Sequence, residues 1–574
     1  MSKTKKSFVT GAAILGAAGL IVKIIGAIFR IPLSNIVGTV GMSYYEVAYP
    51  YYTWLLVISS AGLPTAISKL VSERIALNDA KGAKKIFRSA MKLLVGIGIV
   101  TSILLFAASS GLAKLSGAEP ARLSFMALAP ALLFVSIMCA YRGYLQGMQC
   151  MTGTALSQIV EQLVKLIAGL ALAYYFIRKR PQQPEYAAMG ALIGVSISEL
   201  VALISIKFYY GNRLKHKALA ISEITAPAAA VKPISGRTAV KRLLIIAIPM
   251  TIGASIMPIT GIADSLFIIK PLIAKTQKLF VSAAEVFKDM PVSLATPAIK
   301  AVLDASGTIA EQSASTSYTI LRTYVTTLIN MPAVLTLSLS MSLVPAISDA
   351  MTRRQTRTVH AAVRTGMKFA IFIGAPCAVG LFVLGGPILS MLYNSVRSSS
   401  AIFNQAQSIM YIASIGVLFL SLVQTLTGII QGMGKPRIPV YFLAAGGAVK
   451  IISMLLFMNY TNLGILGAAL STVLCYAVAG IGDTIYVIRK TRMKVNYADT
   501  FIKPVISSIV LGAAVWAVYG IAAKSGHFTI ATLLSVLVGI VVYAVMMLIL
   551  HPVSASDLEF IPKGNKLKKI LKIK

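Results

Sequence analysis

The hexapeptide Gly-Tyr-Leu-Gln-Gly-Met at residues 143–148 returns as Gly-Ile-Ile-Gln-Gly-Met at residues 428–433. Both copies follow long apolar runs, and further matches recur in the same order along the chain. These are Val164-Lys165 with Val449-Lys450, Arg88–Lys92 with Arg364–Lys368, and Pro64–Ser68 with Pro345–Ser348. Chance does not readily produce an ordered series of this kind, so we infer that the chain contains two copies of one unit.

The composition indicates that this unit lies in a membrane. Hydrophobic residues make up 57% of the chain and charged residues 13%, whereas an ordinary soluble domain has about 25% charged residues. A helix needs about 20 apolar residues to cross a bilayer, and we count about fourteen such stretches between residues 8 and 550. We therefore predict an all-α polytopic membrane protein with about 14 transmembrane helices.

The repeated motifs define the expected domains. Six predicted helices separate the copies, so both run in the same direction through the membrane as a parallel repeat. Within the second copy, residues 270–315 lack a spanning run and are interpreted as an extracellular insertion. The predicted domains are an N-lobe with helices 1–6 (1–212), a basic cytoplasmic linker (213–241), a C-lobe with helices 7–12 (242–488), and helices 13–14 with a basic cytoplasmic tail (489–574).

The charge balance sets the orientation. The chain has 54 Lys and Arg residues against 18 Asp and Glu residues, a net charge of +36. In a soluble protein this excess would indicate nucleic acid binding. Here the predicted inner segments carry about three times as many cations as the outer ones, as the positive-inside rule expects. We predict that both termini are cytoplasmic and that no nucleic acid is bound.

Enzymatic motifs are absent from the sequence. No phosphate-binding loop of the G-x-x-x-x-G-K-[ST] type occurs, and the four histidines are far apart. The four cysteines form no C-x-x-C pair and are interpreted as small core residues. We therefore predict no enzymatic activity, no catalytic residue, no cofactor and no metal site.

Two cations lie in the first predicted helix. Lys23 and Arg30 are two helical turns apart on one face, separated by about 10 Å. One interpretation is that Arg30 extends to the outer head groups while Lys23 pairs with an acid elsewhere. The other is that both residues line a cavity between the lobes and bind substrate.

The fifth helix of each half carries another lysine. Glu161 and Lys165 have the i, i+4 spacing of a helical ion pair, which we interpret as structural. Lys450 is the counterpart of Lys165, but Gly446 replaces the acid. Lys450 is therefore a candidate for substrate binding.

The other charged candidates have two interpretations each. Asp264 either neutralises Lys23 or Arg30 or binds a coupling cation. Glu46, a candidate for the same two roles, lies in an aromatic cluster that also resembles an interfacial belt. Arg322 begins the eighth predicted helix, where it either extends to the head groups or lines the cavity.

The first helix resembles a known family. Residues 11–16 (Gly-Ala-Ala-Ile-Leu-Gly) and residues 23–33 are similar to the first helix of the stage V sporulation protein B and polysaccharide-biosynthesis branch of the multidrug/oligosaccharidyl-lipid/polysaccharide exporter superfamily. Residues 141–147, 342–348 and 431–436 support the resemblance, which covers nearly the whole chain. The lipid II flippases belong to the same fold group.

The resemblance implies a V-shaped, two-lobed transporter in the plasma membrane. Its expected substrate is an undecaprenyl-diphosphate-linked glycan, and Lys23 and Arg30 match the first-helix cations that engage the diphosphate in the flippases. Arg322 corresponds only loosely to a further cavity arginine. We expect a monomer that contacts membrane lipids and is driven by the membrane potential or by a gradient of protons or another monovalent cation.

Two other functions remain open. A multidrug or organic-cation antiporter of the same superfamily would favour acidic residues in its cavity. A non-transporting membrane scaffold of cell-wall assembly would have little use for charges in its spans. The sequence does not distinguish lipid II from teichoic, capsular or spore-cortex precursors.

Overall fold

The computed structural model describes residues 3–222, 234–285, 292–493 and 496–550, which are almost entirely helical. In chain order the helices are α1 (Lys3–Ser60), α2 (Leu63–Ala76), α3 (Ala80–Leu115), α4 (Arg122–Gly147), α5 (Met151–Lys179), α6 (Pro184–Ser222), α7 (Gly236–Phe267), α8 (Ile269–Glu285), α9 (Val292–Thr319), α10 (Thr326–Thr352), α11 (Thr356–Leu392), α12 (Asn394–Ser398), α13 (Ser400–Gly432), α14 (Arg437–Tyr460), α15 (Ile465–Thr491), α16 (Lys503–Ala522) and α17 (Phe528–Leu550).

These helices form a multi-pass membrane protein. Among the described residues, thirteen helical runs are long and apolar enough to cross a membrane. The first run, Ile14–Ala76, has 63 residues, about three times the length that one crossing needs. Gly38 breaks this run, because its φ of 77° is not helical. The run therefore supplies the first two predicted spans, and the all-α polytopic fold is confirmed.

The two halves repeat a close contact between neighbouring helices. A Cβ atom placed on Gly98 of α3 would lie 2.9 Å from the Cβ of Ser136 in α4. A Cβ atom on Gly374 of α11 would lie 2.9 Å from the Cβ of Ser421 in α13. These residues are related by the same offsets as the repeated motifs. Since membrane helices associate by close packing of small residues, the duplication extends from the motifs to the packing.

The contact predicts the effect of an added methyl group. Gly98→Ala is expected to lower the apparent melting temperature of the purified protein in detergent, because Ser136 or its helix must move. Gly96→Ala is the matched control, since no atom lies within 4 Å of its Cβ position and alanine favours a helix over glycine by about 1 kcal/mol. Equal melting temperatures for the two variants would contradict the contact.

The chain divides into two compact units, Met1–Lys270 and Pro271–Lys574. Helix α7 belongs to the first unit, where it packs against α1, α2 and α3. Gly62 permits this packing, because a Cβ atom there would lie 2.4 Å from the carbonyl oxygen of Ala247 in α7. The boundary between the units therefore follows α7, whereas the predicted linker (213–241) precedes it.

The predicted insertion at residues 270–315 is helical wherever it is described. It comprises nearly all of α8 and most of α9, and residues 286–291 lie outside the described residues. Helix α9 continues through the π-helical segment Ile320–Val325 into α10. The helix that contains the eighth predicted span therefore begins earlier in the chain than predicted. The extracellular position of the segment stays a prediction.

The predicted basic linker and the predicted basic tail each extend beyond the described residues. Residues 223–233 of the predicted linker and residues 551–574 of the basic tail lie outside the described residues.

Candidate functional site

Arg30 and Glu46 form an ion pair within the first unit. The Nη2 atom of Arg30 lies 3.2 Å from the Oε1 atom of Glu46, and their side chains are 24% and 1% exposed. In an unbroken helix the roughly 16 residues between them would span about 24 Å. The chain therefore turns back at Gly38, and this turn places the buried Glu46 beside Arg30 as a counter-charge.

The ammonium group of Lys165 is buried among aromatic rings. Its Nζ atom donates a hydrogen bond of 3.2 Å to the hydroxyl of Tyr49. The same atom lies 5.3 Å from the ring centre of Phe29 and 5.1 Å from that of Tyr49. Cation–π contacts of this kind stabilise a desolvated cation. They also bring α5 against the two parts of α1.

Glu161 does not form the predicted pair with Lys165. Its carboxylate instead binds Arg142 of α4, whose Nη2 atom lies 2.9 Å from Oε2 of Glu161. The Nε atom of Arg142 also donates to the hydroxyl of Ser157 at 3.0 Å. A pair between neighbours on one helix contributes only a few tenths of a kcal/mol, and the charge-assisted bonds of a guanidinium are stronger. The contact between helices therefore replaces the contact within the helix.

A row of tyrosines connects these pairs to a further acid. Tyr45 stacks on Tyr49, with 5.3 Å between ring centres, and Tyr49 lies 5.8 Å from Tyr52. The hydroxyl of Tyr52 donates to the Oε1 atom of Glu199 in α6 at 3.4 Å. We call the connected residues the first-unit network; its members are Phe29, Arg30, Tyr45, Glu46, Tyr49, Tyr52, Arg142, Ser157, Glu161, Lys165 and Glu199.

Lys23 lies outside this network, on an exposed face of α1. It precedes Arg30 by about two turns, or about 10 Å along the axis. In the part of the chain that the structure describes, Lys23 has no ion pair or hydrogen bond. The two first-helix cations therefore differ, since Arg30 has an acidic partner and Lys23 has none within the described residues.

The remaining candidates are distributed over both units. Asp264 belongs to the first unit, where it is 3% exposed on α7. Lys450 of the second unit is 4% exposed on α14. Arg322 is half-buried in the π-helical segment before α10, and such segments are frequent at functional sites. The structure places each residue within its own unit.

The first-unit network and Lys23 together carry one more cation than carboxyl groups. The network contains three cations (Arg30, Arg142 and Lys165) and three carboxyl groups (Glu46, Glu161 and Glu199). Lys23, which precedes the network on α1, adds a fourth cation. Across the described residues, no group of three or more His, Cys, Asp or Glu side chains is arranged to hold a metal ion. A partly exposed guanidinium and an exposed ammonium on one helix suit an anionic ligand.

Comparison with known families identifies the chain. The family model described as "polysaccharide biosynthesis protein" matches residues 8–303, about half of the sequence. The chain belongs to this polysaccharide biosynthesis protein family. A second family model, MatE, matches residues 323–456.

Curated relatives of this family member include flippases and sporulation proteins. Stage V sporulation protein B of Bacillus subtilis is 25% identical over 82% of this chain and 81% of its own length. The lipid II flippase MurJ of the same organism is 25% identical over 90% of this chain and 87% of its own length. The names of these relatives describe a sporulation protein and a flippase.

Solved structures share the fold of this family member. A lipid II flippase MurJ in an inward closed conformation aligns with a TM-score of 0.64 and 15% identity, covering 94% of this chain and 98% of the other. An inward-facing multidrug resistance MATE family transporter aligns with a TM-score of 0.59 and 15% identity, covering 82% and 98%. At this identity the likeness shows the fold alone.

In this family member, sequence reasoning missed Arg142 and Glu199 as parts of the site. Arg142 stands near the end of its apolar run, where the positive-inside rule alone accounts for a cation. A signal was present, because α4 and α5 are joined by a tight turn at residues 148–150. Folding the two helices together about that turn brings Arg142 near Ser157 and one helical turn from Glu161. No comparable signal pairs Tyr52 with Glu199.

Proposed function

We propose that the protein is a flippase that moves an undecaprenyl-diphosphate-linked glycan across the plasma membrane by alternating access. The observation that carries the proposal is the cationic face of the first helix. Lys23 is exposed there, with no acidic partner in the described parts of the chain, and Arg30 is partly exposed and held by Glu46. The relationship to a lipid II flippase and to a polysaccharide biosynthesis family supports this substrate class.

The substrate explains why such cations are needed. A diphosphate and its sugars cannot enter hydrocarbon unaided, because burial of unpaired charge and of many hydroxyl groups is very unfavourable. Lys23 and Arg30 would bind the diphosphate through charge-assisted hydrogen bonds. The lipid tail would stay in the bilayer while the two repeats rock about the site.

The excess of cations also provides a driving force. With its acids ionised, the group formed by the network and Lys23 has a net charge of about +1, from four cations and three carboxylates. Moving one charge across the membrane is worth about 2.3 kcal/mol per 100 mV. A negative-inside potential would therefore favour the return of the empty carrier.

The other candidates belong to the same proposal. Arg322 and Lys450 would supply cations from the second half, and Asp264 would act as a counter-charge or bind a coupling cation. The protein would function as a monomer. Each assignment is tested by substituting the residue and measuring transport in the assay described next.

A reconstituted transport assay tests the proposal. Purified protein in proteoliposomes is expected to move a fluorescent lipid-linked oligosaccharide from one leaflet to the other, and collapse of the membrane potential is expected to slow that movement. The MatE match favours one rival, an organic-cation antiporter. Transport of ethidium without transport of the lipid-linked probe would support that rival, and transport of neither would indicate a scaffold.

The proposed orientation predicts a labelling pattern. In a variant without its four native cysteines, Gln182→Cys, in the turn between α5 and α6, is expected to react with a membrane-impermeant thiol reagent in intact cells. Lys81→Cys, at the start of α3, is expected to react only after the membrane is permeabilised. The reverse pattern would place both termini outside.

A further inference from the structure

Glu199 is a buried carboxyl group with an incomplete set of partners. Its side chain is 5% exposed on α6. The Oε1 atom accepts only the long hydrogen bond of 3.4 Å from Tyr52. The Oε2 atom has no hydrogen-bond partner among the described residues. Glu46 and Glu161, by contrast, each form an ion pair with an arginine.

The helices packed against α6 bring both signs of charge toward Glu199. Helix α1 contributes Tyr52, α4 contributes Cys139 and Arg142, and α5 contributes Glu161 and Lys165. The two cations already have partners, because Arg142 binds Glu161 and Lys165 binds Tyr49. Neither forms an ion pair with Glu199 within the described residues.

This arrangement suits a group that gains and loses a proton. Burial without an ion pair favours the neutral acid, because an isolated carboxylate is far more costly to bury than a protonated one. The nearby Arg142 and Lys165 favour the carboxylate. Because the two effects oppose each other at one group, small rearrangements of the surrounding helices can change its protonation.

We propose that Glu199 is a proton-binding site, and that its proton sets the charge of the first-unit network. The inference rests on the proposed function in one respect, which is that the network binds an anionic head group. A proton is the fitting ligand because, among the described residues, Glu199 belongs to no group of three or more His, Cys, Asp or Glu side chains that could hold a metal ion, and a hard metal cation takes several oxygen ligands.

The tyrosine row gives the proton a connection to the anion site. Tyr52 contacts Glu199 and lies beside Tyr49, which contacts Lys165. Lys165 in turn lies over Phe29, the neighbour of Arg30 in α1. A proton on Glu199 adds one positive charge to this group and strengthens the binding of an anion at Arg30. By linkage, a bound anion strengthens the binding of the proton by the same factor.

Infrared difference spectroscopy tests the proton site without any transport assay. When proteoliposomes are titrated with acid, wild-type protein is expected to gain a C=O stretching band of a buried carboxylic acid. Glu199→Gln is expected to lose that band. Asp483→Asn is the matched control, since Asp483 is a 1% exposed carboxyl in the other unit, and it should leave the Glu199 band in place.

A second variant keeps the test decisive if Glu199→Gln does not fold. Tyr52→Phe removes the hydrogen bond to Oε1 and is expected to shift the frequency of the same band. An unchanged titration spectrum in Glu199→Gln, or in Tyr52→Phe where Glu199→Gln does not fold, would overturn the proton site.

Binding measurements separate this inference from the proposed function. The affinity of wild-type protein for a fluorescent lipid diphosphate is expected to rise as the pH falls, by a factor of about 5 or more, and Glu199→Gln is expected to lose this pH dependence. If binding to Glu199→Gln still depended on pH, the linkage between the Glu199 proton and the bound anion would be overturned, and the flippase proposal would stand. Absence of lipid diphosphate binding at every pH would overturn the proposed function, and the infrared result would still decide the proton site.

Discussion

Simultaneous replacement of Lys23 and Arg30 by alanine is expected to abolish transport of a fluorescent lipid-linked oligosaccharide. The two residues supply the only cations of α1 within the membrane-spanning part that the structure describes, from residue 14 onward. Without them a diphosphate entering the site would lose its charge-assisted bonds and remain unpaired. Transport in proteoliposomes and complementation of a flippase-deficient strain both measure the effect.

Controls distinguish substrate binding from structural neutralisation. Alanine at Lys114 and Arg178, exposed cations of the same unit, is expected to leave transport intact. The sharper comparison is Arg30→Gln combined with Glu46→Gln, which removes the ion pair and leaves no unbalanced buried acid. If Arg30 serves only to neutralise Glu46, this double variant retains transport. Full transport in that variant would refute a role for Arg30 in substrate binding.

Among the single substitutions predicted for this protein, Arg142→Ala is expected to lower the free energy of unfolding the most. Arg142 and Glu161 are 13% and 17% exposed, and their atoms lie 2.9 Å apart. Removal of one partner from a fully buried pair leaves an uncompensated charge and typically costs about 3–5 kcal/mol, and we expect a somewhat smaller cost for this part-buried pair. We expect a markedly lower apparent melting temperature in detergent, or loss of the folded protein during purification.

An apolar replacement of the whole pair gives the matching control. Arg142→Met with Glu161→Leu leaves neither charge unpaired, and such exchanges are often neutral or stabilising. The double variant is therefore expected to recover most of the melting temperature lost in Arg142→Ala. A double variant as unstable as the single one would show that the pair is not the source of the effect.

The long apolar runs and the repeated motifs were sufficient to predict the fold. Each predicted span falls on a described helix because the need to satisfy backbone hydrogen bonds in lipid leaves few alternatives to a helix. The unit boundary was less predictable. Whether α7 packs with the preceding or the following helices depends on a close contact at Gly62, which hydropathy does not register.

The partners of the buried charges were harder to predict. The i, i+4 rule correctly places Glu161 and Lys165 on one helix, but it ignores groups on other helices. Arg142 and Tyr49 come from other helices and form the stronger contacts. The Arg30–Glu46 pair depends on the turn at Gly38, where a single positive φ brings two otherwise distant residues together.

The repeated glycine–serine contact has a consequence for the ancestry of the chain. Fusion of two copies of an ancestral half-length gene would leave matching helix crossings in both halves, as at Gly98 and Gly374. The buried charges diverged while this scaffold persisted. At the positions matching Arg142 and Glu161 the second copy has Thr427 and Gly446, yet it keeps Lys450 where the first has Lys165. The lysine is thus common to both halves, whereas the arginine–glutamate pair distinguishes the first half from the second.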